Sequence, residues 1–110
     1  MFTRKALDIH IHSFLKELVE FGLTPTKSIL FGSYAKGNPH LQSDIDLAIW
    51  HESFSGVSFI DFEPFVHLVS KYHPIQLHTF NSNEEIDPFG EEILATGKQI
   101  DTKDLVEIIT

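Results

Sequence analysis

Hydrophobic residues in this 110-residue chain recur with two different periods. Leu7, Ile11, Phe14, Leu15 and Leu18 fall three or four residues apart, which predicts an amphipathic helix over residues 5–21. Gly22 is a stop signal, and Thr24-Pro25 reads as a loop. Ser28 to Phe31 is a short apolar run closed by Gly32, the pattern of a buried strand. Gly37, Asn38 and Pro39 then mark a loop that runs to about Ser43. From Asp44 to Trp50 the period becomes two: Ile45, Leu47 and Ile49 share one face, and Asp44, Asp46, Ala48 and Trp50 share the other.

Phe62, Phe65, Val66 and Val69 predict a helix over residues 62–72, with Pro64 tolerated only near its first turn. Ile75 to Phe80 reads as a further strand. Asp87-Pro88 is a helix start, with Asp87 as cap and Pro88 first in the helix, and Gly97 is its end. Lys98 to Asp101 is a candidate edge strand, and Thr102 a candidate cap for a last helix carrying Leu105, Ile108 and Ile109. This order of elements predicts an α/β (α+β) fold, a small mixed sheet covered on one face by helices, formed by residues 1–110 as one domain.

Composition narrows the function classes. Residues 1–43 carry five basic and three acidic side chains, whereas residues 44–110 carry three basic and thirteen acidic ones. A chain of net charge −8 is a poor general binder of nucleic acid, because that affinity rests on basic groups releasing counterions. The acidic half suits divalent cations or a basic protein partner, and much of it reads as a solvated surface. Cysteine is absent, which excludes disulfides and thiolate metal sites and fits a reducing cytoplasm. The N-terminus has no apolar signal-peptide core, and no stretch approaches the ~20 apolar residues of a membrane span. The seven histidines show no pair at a helical i, i+4 ligand spacing, so a zinc site is not expected.

The chemistry-bearing segment is Leu30-Phe31-Gly32-Ser33-Tyr34-Ala35-Lys36-Gly37, followed by Ser43-Asp44-Ile45-Asp46-Leu47. A glycine after a strand lets the backbone approach a phosphate closely. Amides at the start of the next helical turn and the Ser33 hydroxyl can donate to the same oxygens, and Lys36 adds positive charge one turn on. Asp44 and Asp46, two apart on a strand, leave the same face with Cα atoms roughly 6.5–7 Å apart. Two such carboxylates can share one Mg²⁺, a hard cation that divides its coordination between protein oxygens and substrate phosphates. Separately these pieces are common; in this order and spacing they are specific.

On residues 32–46, and on the element order from about residue 5 to 100, the chain resembles the DNA polymerase β-type nucleotidyltransferase superfamily, in particular its smallest branch, the minimal nucleotidyltransferases of bacteria and archaea. The resemblance implies that Gly32 and Ser33 hold nucleotide phosphates and that Asp44 and Asp46 are the paired metal-binding, catalytic aspartates. It implies transfer of a nucleoside monophosphate, AMP from ATP by expectation, onto a hydroxyl with release of pyrophosphate. Members of the small branch are often encoded beside a helical HEPN-type protein, for which they act as antitoxin, and some place AMP on a tyrosine of that toxin.

One position departs from the pattern. The family places a third carboxylate on a later strand, and the matching segment His73-Pro74-Ile75-Gln76-Leu77-His78-Thr79-Phe80 puts Gln76 there. Glutamine offers a carbonyl oxygen but neither charge nor a basic site. Three explanations stand open. His78, facing the same way two residues on, is a replacement base; Asp61, Glu63, Glu84, Glu85 or Asp87 swings in; or the site binds nucleotide and no longer turns over. The alternative to an enzyme is therefore an antitoxin or partner subunit of the same fold acting by protein–protein binding. Phe54, Phe59, Phe62 and Phe65 read as core, with some of them available as a docking or dimer surface. Tyr34 and Trp50 are each candidates for contact with a base or for ordinary packing.

Overall fold

The computed structural model of the chain describes residues 1–101. The helix expected from Thr102 onward lies outside the described residues.

The first helix, α1 (Arg4–Glu20), forms where the period of three to four predicts it. The Thr3 side chain caps it by accepting the Ala6 amide at 3.1 Å. Its five periodic apolar residues, Leu7, Ile11, Phe14, Leu15 and Leu18, are all buried. Four strands follow among the described residues: β1 (Lys27–Phe31), β2 (Ile45–His51), β3 (Ile75–Asn81) and β4 (Lys98–Gln99). They lie in the order β3-β2-β1-β4, with β1 antiparallel to β2 and β4, and β2 parallel to β3. The sheet is therefore mixed, as the sequence predicts.

Alternation along β1, β2 and β3 divides the core in two. Leu30, Ile45, Leu47, Ile49, Ile75 and Leu77 pack with α1 and with Leu68 of α4 (Val66–Lys71). On the other face Ile29, Ala48 and Trp50 receive Ile93 of α5 (Pro88–Thr96). The main helical layer thus lies on one face, and α5 adds a smaller one that covers only part of the other. The Asp87 carboxylate starts α5 by accepting the Gly90 amide at 2.7 Å, with Pro88 in the first turn. Gly97 ends it against β1, where a Cβ would meet the carbonyl oxygens of Ile93 and Leu30 at 2.7 and 2.9 Å.

The segment between β2 and β3 departs from expectation. A short helix, α3 (Ser58–Asp61), precedes a 3-10 turn at Glu63–Phe65, and α4 begins only at Val66. Pro64 has no N–H and its ring would clash with the carbonyl four residues earlier, so α3 cannot continue through it into α4 as one helix. The chain turns instead on the Phe65 amide bonding Phe62 O at 2.7 Å. Asp61 anchors the segment. One carboxylate oxygen accepts the Ser55 amide and hydroxyl, both at 2.8 Å; the other accepts the Gly56 amide at 3.0 Å and the Thr79 hydroxyl at 2.5 Å. Burial raises this carboxyl's pKa, but the four donors outweigh it and hold it below the ordinary aspartate value. An acid depressed in the folded state stabilises it above the unfolded pKa and loses that contribution as pH falls through the folded one. Asp61→Asn puts an amide N–H against these donors. It should cost roughly 1–3 kcal/mol at neutral pH and flatten the acid limb of stability against pH, read by thermal denaturation of both proteins across that range.

No helix among the described residues is long and apolar enough to cross a membrane.

Candidate functional site

Strand register assembles the site at one end of the sheet. Phe31, the last residue of β1, pairs with Asp46, and Asp46 pairs with Gln76. Gly32 follows β1 and caps α2 (Ser33–Lys36) with φ 76° and ψ −156°, in the region open to glycine. A Cβ at Gly32 would overlap Asp46 Oδ2 and lie 3.1 Å from its Cγ. The glycine turn and the carboxylate are therefore in direct apposition, although thirteen residues separate them in the chain.

The loop between α2 and β2 sets the other acid. Gly37 closes α2 in the left-handed conformation, and the Asn38 amide bonds Ser33 O at 3.1 Å. Buried Ser43 closes a tight turn: its hydroxyl accepts the His40 amide at 2.8 Å and its own amide bonds His40 O at 3.0 Å. Asp44 leaves this turn exposed, one residue before the strand, so the predicted strand start at Asp44 moves to Ile45. Asp44 is close enough to act electrostatically on Asp46. Ser43 is thus a positioning residue that hydrophobic periodicity does not reveal.

Asp46 is half-buried, and burial raises its pKa above the ordinary aspartate value. His78 opposes that shift, and the negative charge of Asp44 adds to it. His78 Nε2 stands 3.5 Å from Asp46 Oδ1, at the outer limit of a hydrogen bond, and this buried nitrogen has no other partner. Two neighbouring carboxylates, one losing hydration, form an arrangement that a bound cation would relieve. The available donors are the carboxylates of Asp44 and Asp46 and the amide oxygen of Gln76, an all-oxygen set suited to Mg²⁺ that shares its coordination with phosphates. No group of three or more His, Cys, Asp or Glu side chains able to hold a metal occurs among the described residues. A cation held here would take its remaining positions from water and from a ligand's own oxygens.

Of the residues singled out in the sequence, Gly32, Ser33, Asp44, Asp46, Gln76 and His78 gather at this end of the sheet. Lys36 is exposed at the far end of α2. The carboxylates offered as substitutes for the missing acid do not reach. Asp61 is bound to Thr79, whose side chain is on the opposite face from Gln76 and His78. Asp87 is occupied as the cap of α5. Glu84 and Glu85 line a hollow of about 70 Å³ beside Trp50 and Phe80, four residues along the strands from Asp46 and Gln76, or roughly 13 Å. Glu63 is exposed in the 3-10 turn.

Trp50 is buried and stacked on Phe80, with ring centroids 4.5 Å apart, so it packs and does not face a ligand. Tyr34 is also core, its hydroxyl accepting the Phe2 amide at 3.2 Å. A larger hollow, of about 520 Å³, is not this site. It lies beside α1 and β4, lined by residues that include Leu7, His12, Leu30, Tyr34 and Lys98.

A mixed sheet with a glycine turn laid against a strand-borne aspartate, and a second acid just before it, defines a domain of the nucleotidyl-transfer class. The family model described as nucleotidyltransferase domain matches residues 11–104, and the chain belongs to that family. No curated protein matches the chain.

Proposed function

We propose that this protein transfers AMP from ATP to a hydroxyl group of a protein, with a tyrosine of a helical HEPN-type toxin as the acceptor and antitoxin action as the result. The observation that carries the reading is the apposition of Gly32 with Asp46, which brings a backbone turn fit for phosphate against a carboxylate fit for metal. The resemblance to the minimal nucleotidyltransferases supports the acceptor and the partner, and the acidic surface favours a protein acceptor over nucleic acid.

In this reading Gly32 and Ser33 hold the triphosphate by backbone amides and hydroxyl, and Asp44 and Asp46 hold Mg²⁺. When bound, that ion supplies charge neutralisation of the phosphates and activation of the attacking oxygen. The acceptor oxygen forms a bond to the α-phosphorus, the bond from that phosphorus to the bridging oxygen breaks, and pyrophosphate leaves. The acceptor proton passes to His78, the imidazole beside Asp46. Gln76, in register with Asp46, orients the acceptor through its amide.

A second reading is favoured by Gln76 itself. Loss of a general base costs about 10²–10⁴-fold in rate, and a protein so slowed could serve as antitoxin by binding alone. Its contact surface would include Val57, Phe59, Ile60 and Val66, all exposed. Supplying ATP, Mg²⁺ and the cognate partner should give pyrophosphate release above that of an Asp44→Asn/Asp46→Asn control. Equal release, with toxin neutralisation intact in the control, would establish the binding reading instead.

A further inference from the structure

Three rings from three elements meet beside Asp46. Phe31 of β1 and His78 of β3 have centroids 4.9 Å apart, and Phe89 of α5 lies 5.8 Å from the first and 5.9 Å from the second, both edge-on. Phe31 and His78 meet across β2 because Ala48, the register partner of His78, has no side chain long enough to separate them. Beneath them Phe80 and the stacked Trp50 continue the aromatic layer, with Phe80 6.1 Å from Phe89.

Phe89 differs from the other members of this layer. It is 47% exposed, whereas α5 is already anchored by Ile93 at 2%. A large apolar side chain left half in water at the rim of a polar site is the composition of a ligand wall: mostly apolar, beside a few placed polar groups.

We propose that Phe89, backed by Phe31 and His78, is the platform for the nucleobase of the bound triphosphate. This rests on the function proposed above. The Gly32–Ser33 turn and the acid pair take the phosphate end, and the base lies a ribose beyond it. A base platform therefore belongs one side chain away from the metal-binding carboxylate. Phe89 meets that requirement, since its ring lies 5.9 Å from that of His78, whose Nε2 is 3.5 Å from Asp46 Oδ1. A nucleobase is also the one planar aromatic group that every nucleotide donor carries, and stacking of its face on an aromatic side chain suits all of them.

The test compares ATP with inorganic tripolyphosphate, each titrated with Mg²⁺ into the full chain. Wild-type protein should bind ATP more tightly than tripolyphosphate. Phe89→Ala should weaken ATP binding by about 5- to 150-fold and leave tripolyphosphate binding unchanged, which also reports an intact fold; Phe89→Trp should retain ATP affinity. Phe89→Ala weakening both ligands equally, or neither, overturns the platform. So does equal wild-type affinity for the two ligands, which leaves the phosphate cradle standing. If tripolyphosphate binding is absent from wild type, or survives Asp46→Asn unchanged, the proposed function fails, and the platform with it.

Discussion

Replacing Gly32 by alanine is expected to lower both stability and Mg²⁺-dependent triphosphate binding. At φ 76° and ψ −156° an L side chain is strained, at a cost of roughly 1–3 kcal/mol. The new methyl would also occupy the place of Asp46 Oδ2 and press on its Cγ and Cβ at 3.1 and 3.3 Å. Aspartate is short, and its Cβ and Cγ are crowded as well, so rotation of the carboxylate alone does not clear the contact. The strand start or the turn must give by a few tenths of an ångström, which shifts Gly32 relative to the carboxylate. ATP affinity should fall about 10–100-fold, the loss typical of disturbing a metal ligand through its support. Melting temperature and ATP titration measure the two effects, and native values for both would show that the apposition has no consequence.

Asp46→Asn is expected to separate the two properties. Burial holds this carboxyl above its ordinary pKa, so ionisation is less favourable in the folded protein than in the unfolded chain. A carboxyl raised in this way contributes stability that is present below its unfolded pKa and lost as pH rises through the folded one. The neutral amide avoids that loss and removes the repulsion from Asp44. At neutral pH the variant should melt at or above the wild-type temperature while Mg²⁺-dependent ATP binding falls by about 10²-fold or more. Because the wild-type carboxyl takes up its proton at acid pH, the stability advantage should shrink there. A variant that melts lower than wild type at neutral pH would assign Asp46 a structural role instead. The contrast with Asp61 is instructive: both carboxyls lose hydration, but Asp61 is supplied with four donors and Asp46 with none closer than His78 at 3.5 Å. One carboxylate is satisfied by the fold, and the other would be relieved by the cation proposed above.

Much of the framework is readable along the chain because its signals are local. The spacing of Leu7, Ile11, Phe14, Leu15 and Leu18 names the buried stripe of α1, and alternation from Ile45 to Trp50 sorts β2 into two faces. Asp87-Pro88 marks the start of α5. The motif Gly32-Ser33 with Asp44 and Asp46 points to the family whose domain model matches the chain. Local signals fail between Gly56 and Lys71. Four residues of α3 are too few for a period, and the apolar residues around Pro64 imitate one continuous helix.

Outside the segment from Gly56 to Lys71, the amino-acid order alone determined the element types of the described residues, the main core stripe and the pair of acids, since each depends on backbone periodicity or neighbouring side chains. Contacts between distant segments were decided only by the folded chain. Parallel register put Gln76 beside Asp46, the short Ala48 let Phe31 reach His78, and the turn at Gly32 closed on a carboxylate from another strand. The physical reason is that pairing and packing across strands depend on spatial separation, which periodicity within one segment does not encode.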